Sequence, residues 1–245
     1  MAGDVEEALA IACADLARTM ARPDAADTVL PRIAAHVVTV LAVGTAGVLL
    51  EDSDGRIVVA SASDELIATL LGIEQDVGDG PTIVAFAEGT TARADTLVDV
   101  GRAWPRWVPE ARALGVGAWL SVPSGSEDAT VVVSAASTRP RHWQDVEMRA
   151  AQVLADLAAG WVAHADELDR ARRTAEQLQD ALDHRMVIEQ AKGILAGELG
   201  CSLDQAFAML RAHARRNSVT VRSVAQAVVE LGLRPPAPQS PEGVT

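Results

Sequence analysis

The amino-acid sequence predicts an α+β fold, with an N-terminal antiparallel sheet and its helices, a long coiled-coil helix, and a C-terminal three-helix bundle. Two observations predict it. Before about residue 140, short apolar and β-branched runs come in pairs around turn residues, with amphipathic helical segments between them. From about residue 143 the apolar residues follow helical spacing as far as Gly200. At 245 residues and 49% hydrophobic content, the chain can bury the cores of two ordinary domains.

The first 142 residues contain the patterns of a mixed domain. Helical spacing predicts an N-terminal helix within residues 1–24 and a second helix over residues 28–43. Two hairpins are predicted, one pairing residues 46–51 with 56–62 and the other pairing 118–122 with 130–135. Between them we expect helices at residues 64–72 and 81–88, a short strand at Arg93, and a helix that ends near Gly115.

The long helix carries apolar residues at alternating steps of three and four, which is the spacing of a coiled-coil seam. We expect a connector over residues 143–174 and a parallel homodimer. The alternative is a helix that packs back on its own N-terminal domain. The predicted seam consists of Leu154, Leu157, Trp161, Leu168, Leu178 and Leu182.

The C-terminal segment, residues 175–233, shows the start and stop signals of a small bundle. Ser202 and Gln205 have the spacing of a capping box, and Thr220 is placed to cap a third helix. Gly232 and the prolines after it predict the end of that helix. Residues 234–245 are rich in proline and are predicted to be a disordered tail.

Charge is distributed unevenly along the chain, whose net charge is −13. Residues 1–169 hold 11 basic against 26 acidic side chains, whereas residues 170–245 hold 10 against 8. An acidic protein is a poor ligand for phosphate backbones, but its C-terminal part alone is slightly basic. Lys192 is the only lysine among 21 basic residues, which singles it out as a candidate functional residue.

Several classes of function are disfavoured. The longest apolar stretch is too short for a membrane helix, and the acidic N-terminal residues are unlike a secretory signal, so a cytoplasmic protein is expected. No histidine pair or cysteine cluster has metal-ligand spacing, so we expect neither a metal nor a cofactor. We expect no enzymatic activity. A sensor kinase that used His184 would need a glycine-rich nucleotide site after it, and a redox catalyst that used Cys13 would need a resolving cysteine, and the sequence offers neither.

A first resemblance covers about residues 25–160, and the domain that it indicates is predicted at residues 25–142. Gly80-Pro81, Gly89, Asp95, Trp104-Pro105, Leu114-Gly115-Val116 and Val122-Pro123 occur in the order found in bacterial GAF domains. This resemblance implies a sensor of a small molecule or a protein signal, whose identity stays unknown. Four aromatic residues are candidates to line a pocket, although packing in the core is favoured for each: Phe86, Trp104, Trp107 and Trp119.

A second resemblance covers nearly all of residues 175–233. Arg185, the run at 188–195, Ser202, Ala206-Phe207, Leu210-Arg211, Ala214, Asn217 and Val224-Ala225 resemble the ANTAR family of RNA-binding antiterminator domains. Ala196 departs from the family, which often has Met there. The resemblance implies binding to tandem stem-loops in leader transcripts, which prevents terminator formation. A dimer would offer two such domains.

The residues expected to contact RNA are Arg185, Gln190, Ala191, Lys192, Gly193, Arg211, Arg215 and Arg216. The cations suit phosphate contacts and stacking on unpaired bases. Gly193 costs about 1 kcal/mol within a helix, which indicates that another helix or an RNA backbone approaches closely there. Arg215 and Arg216 have an equally plausible role as a solvated helix end. The alternative function is a GAF-linked DNA-binding regulator, whose recognition helix would carry few base-reading side chains.

Overall fold

The structure is a computed structural model that describes residues 2–22, 27–51, 55–126 and 129–236. It divides into two compact units, Met1–Glu167 and Leu168–Thr245. Within the described ranges, no helix combines the length and the apolar character needed to cross a membrane.

A five-stranded antiparallel sheet organises the first unit. Its spatial order is β2-β1-β5-β4-β3, and both predicted hairpins are present as antiparallel pairs. The two hairpins join side by side, because β1 pairs with β5 over six positions. The strands are β1 (Thr45–Glu51), β2 (Ile57–Ala62), β3 (Ala92–Ala94), β4 (Ala118–Ser126) and β5 (Ala129–Ser137).

Helices cover both faces of this sheet, because successive strand residues point to opposite faces. Val131 and Val133 of β5 enter one core, whereas Val132 between them enters the other. The first core contains buried residues of the helices α1 (Ala2–Met20) and α2 (Val29–Leu41). The second contains those of α3 (Glu65–Val77), α4 (Pro81–Glu88) and α5 (Trp107–Ala113). Helix α3 is longer than predicted and ends at Gly78, which has a φ of 63°.

The predicted seam residues of the long helix α6 (Asp145–Leu199) divide into two groups. Leu154 is fully buried in the first core of the first unit, and Leu157 and Trp161 pack against that core. This corrects the prediction that Leu154 faces a second copy, since a side chain without exposed surface cannot contact another chain. Leu168, Leu178 and Leu182 are exposed, at 55%, 62% and 60%.

The second unit is a three-helix bundle, formed by the end of α6 with α7 (Leu203–Arg216) and α8 (Val221–Leu231). The predicted capping box is present: the Ser202 hydroxyl accepts from the Gln205 backbone N–H, and the Gln205 side chain accepts from the Ser202 backbone N–H. Thr220 caps α8, and Gly232 ends it in the left-handed conformation. The buried core is Ala191, Leu195, Ala206, Leu210, Ala214, Val224, Ala225 and Val228.

The predicted tail begins with an ordered contact. The Arg234 guanidinium forms an ion pair with Glu198 near the end of α6. This ion pair holds the pKa of the Glu198 carboxyl below its usual range. Pro235 is buried. The part of the predicted tail at 237–245 lies outside the described residues.

Candidate nucleic-acid interface

Lys192 is held in place on α6 by two neighbours. Its Nζ lies 2.9 Å from each carboxylate oxygen of Glu189, one turn earlier on the helix. The same Nζ lies 5.6 Å from the centroid of the Phe207 ring on α7. The Lys192 side chain is 14% exposed, so its aliphatic part is packed and its charged end is oriented.

Arg211 approaches the same aromatic ring. Its guanidinium carbon lies 4.7 Å from the Phe207 ring centroid. Phe207 and Arg211 are four residues apart on α7, the spacing that brings helix side chains together. Both cations are therefore within about 6 Å of the ring, where the ring quadrupole attracts positive charge. We call Lys192, Phe207 and Arg211 the cation–aromatic cluster.

Phe207 was not among the RNA contacts predicted from the sequence. It is half-buried at the edge of the bundle core. Its spacing of four from Arg211 is the signal in the sequence that indicates a cation–aromatic pair.

Most of the other predicted RNA contacts lie on the surface. Arg185, Gln190 and Gly193 are exposed along α6, and Arg215 and Arg216 are exposed at the end of α7. Helix α7 carries three arginines against the single acidic residue Asp204, which makes its C-terminal half a local concentration of positive charge. This charge is suited to contact a phosphate backbone.

Ala191 is an exception and corrects the prediction. It has no exposed surface and lies in the core of the bundle with Leu195 and Leu210. Ala191 and Lys192 are adjacent in sequence, but consecutive helix residues differ in direction by about 100°, so one faces the core while the other reaches the edge.

Among the residues that the structure describes, Gly193 has no neighbour that requires a glycine. A Cβ built at this position would meet no atom within 4 Å. Close approach of another helix of the same unit therefore does not explain the residue. Close approach of an RNA backbone, the other explanation offered from the sequence, stays a prediction.

The first unit contains a separate buried polar group, Glu74 on α3. One carboxylate oxygen accepts a hydrogen bond of 3.0 Å from the backbone N–H of Thr82, whereas Oε1 is buried and has no hydrogen-bond partner among the described residues. Burial raises the pKa of the Glu74 carboxyl to about 8, against the lowering effect of hydrogen bonds from Thr82 and Ile83. Gly80 passes over this carboxyl with a φ of 146°, and a Cβ there would lie 2.6 Å from Glu74 Cγ.

Three buried hydroxyls lie next to this carboxyl in the fold. Thr82 Oγ1 lies 3.1 Å from Ser121 Oγ and 3.0 Å from Ser134 Oγ, and the two serine oxygens are 2.9 Å apart. The indole N–H of Trp119 donates to Ser121 at 2.8 Å. Together they tie α4 to the central strands β4 and β5. Trp107 and Trp119 are fully buried in the core, and Trp104 is nearly so.

No group of three or more potential metal ligands comes together in the part of the chain that the structure describes. Cys13 and Cys201 are both free thiols.

Comparison with known proteins identifies both units. The GAF domain model matches residues 25–160, and the ANTAR domain model matches residues 176–229. No curated protein matches the sequence. Among solved structures, the chain is similar to the GAF domain of a phosphoenolpyruvate-protein phosphotransferase from Coxiella burnetii, at 15% identity and a TM-score of 0.55, over 69% of this chain and 98% of that one.

The chain is also similar to free methionine-R-sulfoxide reductase from Neisseria meningitidis, solved with its substrate, at 17% identity and a TM-score of 0.51, over 68% of this chain and 93% of that one. At these identities the two likenesses show the fold alone. The GAF match spans more than half of the residues. The chain therefore belongs to the GAF domain family and carries a C-terminal ANTAR domain.

Proposed function

We propose that this protein is a cytoplasmic transcription antitermination regulator, which binds paired RNA stem-loops in leader transcripts through its ANTAR domain. The cation–aromatic cluster carries the proposal. It places two cations beside a half-buried aromatic ring on the surface of the bundle. RNA loops present unpaired bases together with closely spaced phosphates, so an aromatic edge flanked by cations suits them.

The proposed interface extends from the cluster in both directions. Arg185, Gln190 and Gly193 lie along the same helix as Lys192, and Arg215 and Arg216 continue the positive charge of α7 beyond Arg211. The arginines contact phosphates, which gives affinity and register. The cluster contacts bases, which gives selectivity for a loop over a duplex.

A homodimer supplies the second RNA site. Leu168, Leu178 and Leu182 are exposed and share the heptad spacing of α6, so they form the proposed dimer seam. Exposed leucines at this spacing are stabilised by packing against the same residues of a parallel partner helix. Two ANTAR domains per dimer then match two stem-loops in one transcript, and the GAF domain controls their presentation through α6.

The rival function, reading of duplex DNA by α8, is poorly supported by the side chains of that helix. The Ser223 and Thr220 hydroxyls form a hydrogen bond with 2.8 Å between their oxygens, and Arg222 hydrogen-bonds to His184. Gln226 and Glu230 are the polar side chains of α8 that form no hydrogen bond or ion pair with another described residue. A recognition helix in the major groove needs several free polar residues on its exposed face.

The test is selection of RNAs from a pool of two-hairpin molecules with randomised loops, using the full-length chain. The selected RNA is then measured at fixed salt against the wild type, Lys192→Ala, and the matched control Arg173→Ala, which removes an exposed cation of α6 outside the interface. We expect a loss of at least about tenfold for Lys192→Ala and little change for Arg173→Ala. Equal affinity for duplex DNA of the same sequence, or no loss for Lys192→Ala, would contradict the proposal.

A further inference from the structure

The turn between α7 and α8 forms an open cleft of about 450 Å³ next to the cation–aromatic cluster. Its lining combines the two cations Arg211 and Arg215 with the apolar residues Ala214, Val219 and Val221. This volume lies within the range of roughly 300 to 1,000 Å³ that is typical of small-ligand pockets.

The backbone of the turn holds the cleft in shape. Ser218 takes a φ of 55°, which is uncommon for a residue other than glycine, and the Val219 N–H donates to the Ala214 carbonyl at 3.0 Å. The Thr220 hydroxyl accepts from the Ser223 N–H at 3.1 Å, as the cap of α8. These polar groups of the turn are therefore satisfied internally, and apolar surface with two guanidinium groups remains for an occupant.

The side chains also indicate the chemistry of that occupant. Val219 is 48% exposed, which leaves a branched apolar side chain facing solvent beside two cations. Neither Arg211 nor Arg215 forms an ion pair with a carboxylate among the described residues. A flat, apolar and electron-rich group close to negative charge complements such a surface, and guanidinium planes stack on rings of this kind.

We propose that this cleft binds one unpaired nucleobase of an RNA loop, with Arg211 and Arg215 contacting the ring face and the adjacent phosphate. The inference rests on the proposed RNA-binding function and deepens it, because it assigns a second base to a site separate from Phe207. Arg211 contributes to both sites, since it lines the cleft and lies over the Phe207 ring. Consecutive loop bases can then occupy the two sites in turn.

The experiment uses full-length protein and the selected two-hairpin RNA, in which each loop position is replaced in turn by an abasic nucleotide. In the wild type, removing the base at one loop position other than the one that contacts Phe207 should lower the affinity about tenfold or more. We call this loss the abasic penalty. Val219→Asp should abolish the abasic penalty at that position. The matched control Leu231→Asp adds the same charge to an 82% exposed residue of α8 outside the cleft, and should keep the cost.

Val219→Trp fills the cleft without adding charge and should give the same result as Val219→Asp. Lys192→Ala and Phe207→Leu should weaken binding while keeping the abasic penalty at this position. If both Val219 variants keep the penalty, or if no loop position shows one apart from that assigned to Phe207, the cleft is not a base site. If the wild type selects no RNA, the proposed function fails, and the base site fails with it.

Discussion

The guanidinium of Arg211 lies over the ring of Phe207, with 4.7 Å between the guanidinium carbon and the ring centroid. The two residues are one turn apart on α7, while Lys192 reaches the same ring from α6. Packing of α6 against α7 therefore assembles the cluster, which neither helix contains alone.

Phe207→Leu should weaken binding of the selected two-hairpin RNA by about tenfold, because loss of a base–aromatic stack costs about 1 to 3 kcal/mol. Leucine keeps an apolar side chain against the bundle core, so the midpoint of thermal unfolding should fall by only a few degrees. Fluorescence anisotropy measures the affinity, and circular dichroism measures the unfolding. Unchanged affinity in a folded variant would remove Phe207 from the interface.

Arg215→Ala should change the salt dependence of binding. An exposed arginine that contacts a phosphate releases counterions, so its removal should reduce the slope of log K against log salt by about 1. Titrations at four salt concentrations give this slope. Phe207→Leu is the comparison, since a stacking contact carries no charge and should leave the slope unaltered. An unchanged slope for Arg215→Ala would assign Arg215 to the solvated end of α7.

Gly193→Ala should stabilise the protein and weaken RNA binding. Alanine is favoured over glycine in a helix by up to about 1 kcal/mol, and a Cβ at residue 193 has open space. The same Cβ would obstruct a closely approaching RNA backbone. Gly197→Ala is the matched control, because it lies one turn later on α6 and also has open space. If both variants bind RNA equally well, RNA does not approach Gly193.

Leu178→Asp should convert the proposed dimer into monomers, because a carboxylate cannot be buried between two helices without a large desolvation cost. Analytical ultracentrifugation of the full-length chain measures the change. Leu199→Asp, at a 51% exposed leucine of the same helix outside the proposed seam, should leave the mass unchanged. A monomeric wild type, or a dimeric Leu178→Asp variant, would contradict the seam.

Glu74→Gln should make the stability of the first unit less sensitive to alkaline pH. The Glu74 pKa is raised from 4.5 to about 8 in the folded protein, so the folded state holds a proton that the unfolded state releases between these values. The stability associated with this proton is fully present below about pH 4.5 and is lost as the pH rises through 8. A neutral amide removes this dependence.

Urea unfolding of the wild type and of Glu74→Gln from pH 5 to pH 9 gives the two pH profiles. At the alkaline end, the free energy of unfolding of the variant should rise relative to that of the wild type by on the order of a few kcal/mol. Glu65→Gln, on the exposed start of the same helix, is the control and should follow the wild-type profile. Parallel profiles for the wild type and Glu74→Gln would mean that Glu74 is ionised in the folded protein at neutral pH.

Much of the fold was determined by local sequence. The cap at Thr220, the capping box at Ser202 and the glycine end at Gly232 each depend on residues a few positions apart, so they could be predicted directly. The same holds for the two hairpins, whose alternating strands and turn residues are contiguous. Composition singled out Lys192 as a candidate, and its Nζ lies 5.6 Å from the centroid of the Phe207 ring.

Other properties were decided only by tertiary contacts. The spacing of Leu154 places it on an apolar face of α6 but does not specify what covers that face. In the structure, the core of the first unit covers it. Burial of Ala191 depends on α7 and α8, and burial of the Glu74 carboxyl depends on how the start of α4 folds over it. The position of Phe207 between core and cations depends on how α6 meets α7. Local patterns specify which surface of an element is apolar, but long-range packing selects the surface that covers it, and so decides which side chains remain free to bind a partner.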